Sequence, residues 1–186
     1  MKHLGTRTIE TDRLILRQFT MDDVVSMYRN WASDPEVTKY VTWPPHSSTA
    51  ITAIVMTDWV EGYQRADRYN WAITLKAEGN EPIGNISVVR SNDDVAACEI
   101  GYCMGKAWWK GGIMTEALHA VIGYLIDQVG FNRVEARHDT NNPASGRVME
   151  KCGMIYEGTH RRSTRNNQGI VDIAVRSILA EEWRNK

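Results

Sequence analysis

Trp109-Lys110-Gly111-Gly112-Ile113-Met114-Thr115-Glu116-Ala117-Leu118 is the stretch on which the fold reading turns. Two adjacent glycines stand ahead of an apolar stripe, Leu118, Val121, Ile122, Leu125 and Val129, spaced as one face of a helix. Gly130 supplies the stop. Just upstream, Ala97 to Met104 reads as a strand. A strand, a glycine loop and a helix start together make a physical device. The first amides of the helix have no partner inside it, they point at one spot, and the helix dipole favours an anion there. Glycine lets a phosphate come close to the backbone. Lys110 to Thr115 is therefore predicted to cradle a pyrophosphate, with Lys110 adding charge. The alternative is a turn that only joins strand to helix, since glycine pairs commonly mark turns. Neither GxxxxGK[ST] nor GxGxxG occurs in the chain, so the two best-known nucleotide loops are excluded.

Working outward, Thr11 to Arg17 reads as a first strand around Leu14-Ile15-Leu16. Thr20 offers an N-cap to a helix carrying Val24, Met27, Tyr28 and Trp31, which Asp34-Pro35 is expected to end. Trp43-Pro44-Pro45-His46 reads as a loop, and Ser48 or Thr49 can cap a second helix with Ile51, Ile54, Val55 and Trp59. Tyr69, Trp71, Ile73 and Leu75 alternate as in a half-buried strand. Pro82 to Val89 and Ala97 to Met104 complete an antiparallel meander, with turns at Glu78-Gly79-Asn80 and Ser91-Asn92-Asp93-Asp94. After the long helix come a strand at Arg133 to His138, a loop at Asn141-Asn142-Pro143, and a short helix from Ser145 to Lys151 ended by Gly153. Two last strands, near residues 155–161 and 170–179, flank the turn Asn166-Asn167-Gln168-Gly169. The order β-αα-βββ-α-β-α-ββ makes an α/β fold with one central mixed sheet of about seven strands between helices.

Bulk properties narrow the function. The 186 residues, without repeat or linker, suit a single domain spanning 1–186 with its core at about 11–183. A net charge of -1 gives no overall basic field for nucleic acid. No apolar run is long enough for a membrane, and the N-terminus lacks a signal-peptide core. Three cysteines, Cys98, Cys103 and Cys152, read as free thiols in a reducing cytoplasm. The five histidines show no metal-ligand spacing, so no metal is expected.

Four segments, in order, resemble the GNAT acetyltransferase superfamily, and within it the branch of the ribosomal-protein N-acetyltransferases RimJ and RimL. They are Thr11-Asp12-Arg13-Leu14-Ile15-Leu16-Arg17; Glu99-Ile100-Gly101-Tyr102 running into Trp108 to Ala117; Asn142-Pro143-Ala144-Ser145-Gly146-Arg147-Val148-Met149-Glu150-Lys151-Cys152-Gly153-Met154; and Tyr156-Glu157-Gly158 with Asp172 and Glu182-Trp183. The resemblance implies acetyl-CoA as co-substrate and direct acetyl transfer to a primary amine. It maps the family's Q/R-x-x-G-x-G/A segment onto Trp109, Lys110, Gly111, Gly112, Ile113 and Met114, with Thr115 beside it. Trp109 stands where Gln or Arg is usual, and Met114 where a small residue is usual.

The resemblance further implies two splayed strands that receive the pantetheine arm on exposed backbone at Cys103 and Met104. The Met104 amide, or a neighbour, would then hold the thioester oxygen. Asn142 is implied to bind the pantetheine region and Ser145 to protonate the leaving thiolate; both residues also suit a helix cap. Glu99 is a candidate general base acting through water, or else an orienting carboxylate. Tyr156 is a rival acid, or a strand aromatic. Trp43 and His46 are candidates for the acceptor pocket. The acceptor stays open between a protein N-terminus and a small amine, including an amine antibiotic or polyamine. A catalytically silent acyl-CoA-binding module is the other class. Monomer or homodimer, with neither nucleic acid nor membrane as partner, completes the expectation.

Overall fold

The computed structural model describes residues 1–185. Eight strands form one sheet: β1 (Ile9–Glu10), β2 (Leu14–Arg17), β3 (Asn70–Leu75), β4 (Pro82–Asn92), β5 (Ala97–Met104), β6 (Arg133–Asp139), β7 (Ile155–Asn166) and β8 (Gly169–Leu179). Their spatial order is β1-β2-β3-β4-β5-β6-β8-β7. All neighbours are antiparallel except β5 and β6, which the long helical crossover makes parallel. The helices are α1 (Val24–Met27), α2 (Pro35–Thr38), α3 (Thr49–Gly62), α4 (Ile113–Gly123), α5 (Pro143–Lys151) and α6 (Ala180–Arg184). α1 is preceded by a 3-10 turn at Met21–Asp23 and continued by wider π turns at Tyr28–Ala32; α4 continues as π turns at Tyr124–Val129.

Neighbouring residues on β3 separate the two layers. Trp71 and Ile73 pack in one core with Ala117, Leu118 and Val121 of α4, whereas Ala72, pointing the other way, packs with Met27, Trp31 and Met56 from the α1–α3 side. Each face of the sheet thus has its own apolar layer. The mixed α/β sandwich stands as read, with eight strands in place of seven because the two-residue β1 extends the sheet past β2.

Several local expectations need correction. Pro35 opens a helix instead of only ending one: Asp34 accepts from the Glu36 amide at 2.8 Å, and proline suits the first helical position. α3 turns Thr52 and Met56 inward, while Ile51 and Ile54 face solvent, Ile54 at 69% exposure. β3 is buried on both faces instead of one, because the α1–α3 layer covers the side that alternation assigned to water. β7 runs on to Asn166, past the expected end near residue 161, and the unforeseen α6 ties back through a Trp183 indole bond to Asp127 at 3.0 Å.

Candidate active site

β5 and β6 pair only from Ala97–Arg133 to Ile100–Ala136. Beyond that, Gly101 to Met104 bond with β4 alone and Arg137 to Asp139 with β8 alone. The two parallel strands therefore splay, and their carboxyl ends lead into α4 and α5. Crevices of this kind, outside the carboxyl ends of parallel strands, are where α/β sheets receive ligands.

The register fixes which backbone groups face the gap. The Gly105 amide donates to the Ile83 carbonyl at 2.9 Å, which marks Gly84 and Met104 as a non-hydrogen-bonded pair. Alternation then commits the Cys103 backbone to Asn85 and turns the amides and carbonyls of Tyr102 and Met104 toward β6. The gap-facing residues are thus Tyr102 and Met104; the expectation for Cys103 is corrected by one residue. Burial pushes the Cys103 thiol up to about 12, so it is a packed neutral thiol at neutral pH. The Met104 carbonyl accepts the Trp109 indole N–H at 2.8 Å, which gives the tryptophan a structural reason: it folds the loop back onto the end of β5.

The loop itself is built for close backbone approach. Lys110 (φ 69°) and Gly112 (φ 74°) are both left-handed, one on each side of Gly111. Ile113 and Met114 are buried beneath the loop, Met114 at 6% exposure, so the bulky side chain at the family's small position points into the core and leaves the outer surface clear. Thr115 is the third residue of α4, and its carbonyl accepts the Cys152 thiol at 3.3 Å.

Two residues outside the expected set hold the loop in place. Arg13 donates to the Gly111 carbonyl at 2.9 Å and to Glu116 at 2.6 Å; Thr11 donates to Glu116 at 2.6 Å. Burial raises the Glu116 pKa, but the Thr11 hydroxyl, the Arg13 amide and its guanidinium outweigh it and hold the carboxyl below its ordinary value. A carboxylate in the first turn of a helix expected to receive an anion calls for a cation beside it. That was the available signal, but no spacing rule connects residues 11 and 13 to 116.

On α5, the Asn142 carboxamide oxygen accepts from the Ser145 amide at 3.3 Å and caps the helix. The Ser145 hydroxyl lies 3.0 Å from the phenol oxygen of Tyr102, across the splay. Gly146 lies tight against His138: a Cβ there would come within 2.7 Å of the imidazole. Glu99 sits at the paired base of the gap, 14% exposed, with Arg90 at 2.7 Å and Arg137 at 3.2 Å. Tyr156 is not brought to the gap. It is 52% exposed on the edge strand β7, two strands beyond β6, with its hydroxyl on Thr159 at 2.8 Å and its ring beside Arg176. Its strand-aromatic reading is the one the geometry fits.

Trp43 and His46 do come together, ring centroids 5.3 Å apart, on the α1–α3 side. His46 is only 9% exposed, hydrogen-bonded to Thr52 at 2.9 Å, and burial lowers its pKa. It is a packed anchor, while Trp43 is half-buried. Asn167, in the β7–β8 turn, donates to the carbonyls of Thr38 and Trp43, both at 2.8 Å, so hairpin and loop are tied into one wall. Among the described residues, no group of three His, Cys, Asp or Glu side chains is placed to hold a metal ion, and no helix is long and apolar enough to cross a membrane.

A splayed parallel pair, a left-handed glycine loop and two helix starts at one crevice define an acyltransferase of the GNAT kind. Residues 13–155 match the acetyltransferase (GNAT) domain, and the chain belongs to that family. It is 30% identical over 178 residues to the uncharacterized N-acetyltransferase p20 of Bacillus licheniformis, covering 95% of this chain and 98% of that one. A 62-residue segment is 36% identical to the [ribosomal protein uS5]-alanine N-acetyltransferase of Escherichia coli, a third of each chain (33% and 32%). The structure of a GNAT-family acetyltransferase from Bacillus anthracis superposes with a TM-score of 0.83 at 25% identity, over 95% of this chain and 100% of that one. The chain is thus an N-acetyltransferase, similar to the branch that includes ribosomal-protein N-acetyltransferases.

Proposed function

We propose that this N-acetyltransferase takes acetyl from acetyl-CoA and passes it directly to a primary amine, either a protein N-terminus or a small molecule. The observation that carries this reading is the open edge of β5 beside the left-handed loop. A pantetheine arm bonds to such an edge as an added strand does. Its pyrophosphate fits the amides from Lys110 to Thr115, with Arg13 and Lys110 supplying charge. The one domain spans the described chain in this reading, and its three thiols, none paired in a disulfide, suit the cytoplasm.

The chemistry then follows from position. The neutral amine attacks the thioester carbon, and the carbonyl oxygen becomes an oxyanion facing the Met104 amide. A fixed donor of this type is worth roughly 3–4 kcal/mol in acyl-transfer enzymes. The carbon–sulfur bond breaks, the sulfur takes the Ser145 hydroxyl proton, and solvent returns that proton from the one lost by the amine. Glu99, its charge already shared between Arg90 and Arg137, is given the orienting role on the acceptor side. Trp43 lines the wall against which the acceptor rests.

Thiol release from acetyl-CoA, measured against N-terminal peptides, polyamines, aminoglycosides and amino acids, tests the reading. Selective turnover identifies the acceptor class. Ser145→Ala lowers kcat roughly 10²-fold, the lower end for a lost general acid, with KM for acetyl-CoA unchanged. Tight CoA binding with no amine turned over would overturn the catalytic reading in favour of an acyl-CoA-binding module.

A further inference from the structure

Tyr102 stands out because nothing in the steps above uses its hydroxyl. It sits on the open part of β5, two residues before Met104, and its ring packs against the core under α4. Its oxygen meets two atoms of one residue, the Ser145 hydroxyl and the Ser145 carbonyl, each at 3.0 Å. Burial pushes the phenol well above its usual range, only partly offset by the Ser145 hydrogen bond, so it keeps its proton at any working pH. Cys152 is the other titratable group facing it.

We infer that Tyr102 is the positioning residue that aims the Ser145 hydroxyl at the leaving sulfur. The inference rests on the acetyl-CoA reading above. A phenol has one hydrogen to give, and a serine hydroxyl has one. When the Tyr102 proton lies on the Ser145 carbonyl, the serine hydroxyl can donate to the phenol oxygen, and its own proton is parked. When the Tyr102 proton lies on the Ser145 hydroxyl oxygen, that oxygen has its acceptor side filled and its proton turns outward to the gap. A developing thiolate favours the second arrangement. The serine proton passes to sulfur while Tyr102 retains its own, so no phenolate forms and the balance of the reaction is unchanged. Donation from the phenol also polarises the serine O–H, as in any hydrogen-bonded chain. Without Tyr102, Ser145 would swing among rotamers at the start of α5, held only through its backbone by Asn142.

Tyr102→Phe keeps the ring and removes the hydroxyl, so thermal unfolding should show a native fold. Two measurements test the assignment. The first needs no acceptor: the thiol of bound CoA is titrated by the ultraviolet absorbance of its thiolate. In the native protein it ionises at lower pH than free CoA. Tyr102→Phe and Ser145→Ala each move it back toward the free value, and the double variant moves it no further than Ser145→Ala. The second is turnover. Tyr102→Phe lowers kcat about five- to tenfold, the factor one lost hydrogen bond is worth, at unchanged KM for acetyl-CoA, and adds nothing in the Ser145→Ala background. A residue that merely packs would weaken both backgrounds alike. Native turnover and native thiol ionisation in Tyr102→Phe, or effects that multiply with Ser145→Ala, overturn the assignment. The two readings fail separately: a shifted CoA thiol without amine acetylation removes the proposed acetyl transfer and leaves Tyr102 in place, whereas acetylation indifferent to Tyr102→Phe removes Tyr102 alone. Absence of CoA binding removes both.

Discussion

Two sides of the same gap, β5 through α5 and the wall formed by residues 31–46 with the β7–β8 turn, are made from different materials. The first presents backbone: the edge of β5 at Tyr102 and Met104, the left-handed loop at Lys110 and Gly112, and the capped start of α5. The second presents side chains on an irregular scaffold: Trp43 in a proline-flanked loop, His46 locked to Thr52, and Asn167 tying hairpin to loop. A backbone site demands particular conformations, and only a few residues allow them, so it constrains sequence tightly. A side-chain wall needs only volume and polarity, which many sequences supply. One scaffold can therefore keep a fixed donor while its acceptor varies.

If that division holds, substitutions on one side should leave the other side's affinity untouched. The largest effect is expected at Gly84→Ala on β4. The new methyl would lie 2.5 Å from the Cys103 carbonyl oxygen and 2.8 Å from the Met104 Cα, both backbone atoms that cannot step aside. Overpacking of this sort costs about 1–3 kcal/mol, so the melting temperature falls by several degrees and CoA binding weakens with it. Calorimetry reads both; a native melting curve would show that β4 and β5 can part without harm. Next in size is Arg13→Met, which frees Gly111 and leaves Glu116 without its cation. CoA affinity should drop about tenfold, or ~1.4 kcal/mol, while the acceptor KM stays put. An acceptor KM that rises equally would dissolve the separation of the two sides. Trp43→Ala is the mirror experiment: acceptor KM up about fivefold, ~1 kcal/mol, with CoA affinity as before in titration calorimetry.

The smallest effect concerns His46. Burial lowers its pKa from 6.5, so the folded state resists protonation that the unfolded chain accepts. Its contribution is fully present above pH 6.5 and is lost as pH falls through the depressed folded value. Urea unfolding across that window should lose stability in the native protein and stay flatter in His46→Gln. Equal slopes would assign the acid sensitivity to the carboxylates.

Legibility in the sequence followed the same division. Ala97–Met104 was bounded correctly at both ends, because a turn precedes it and a glycine loop follows. Gly130 marked the end of the long helical segment, and its φ of 92° shows why glycine is needed there. Asp34-Pro35 does close the first helical segment, which ends at Ala32, but the helix that Pro35 then opens was not foreseen, because the same residue serves as a helix breaker and as a favoured first helical position. Ile51 and Ile54 help mark α3 as a helix, but apolar spacing does not say which face has a partner, and α3 buries Thr52 and Met56. The alternation across Tyr69 to Leu75 suggested a wet face that a second layer in fact covers. Within the site, resemblance led to Asn142 and Ser145, but the Tyr102–Ser145 contact joins residues 43 positions apart and leaves no periodic trace. The clamp from Arg13 to Glu116 spans 103 positions and is equally silent.

The taper of the splay has a consequence of its own. An unpaired strand edge on the rim of a sheet invites any extended chain to add itself. Here the unpaired edge lies inside the sheet, in a wedge that closes at Ile100 and Ala136. The wedge works as a depth gauge. A slender chain slides in until the strands meet, a bulky one stops at the mouth, and nothing can pass through. Where the strands rejoin therefore decides how far a reactive end travels, and so which amide it comes to rest against. Only alternate residues of β5 turn their backbone to the gap, so a shift of that closing point by two residues would bring the reactive end to the next gap-facing amide, that of Tyr102 in place of Met104.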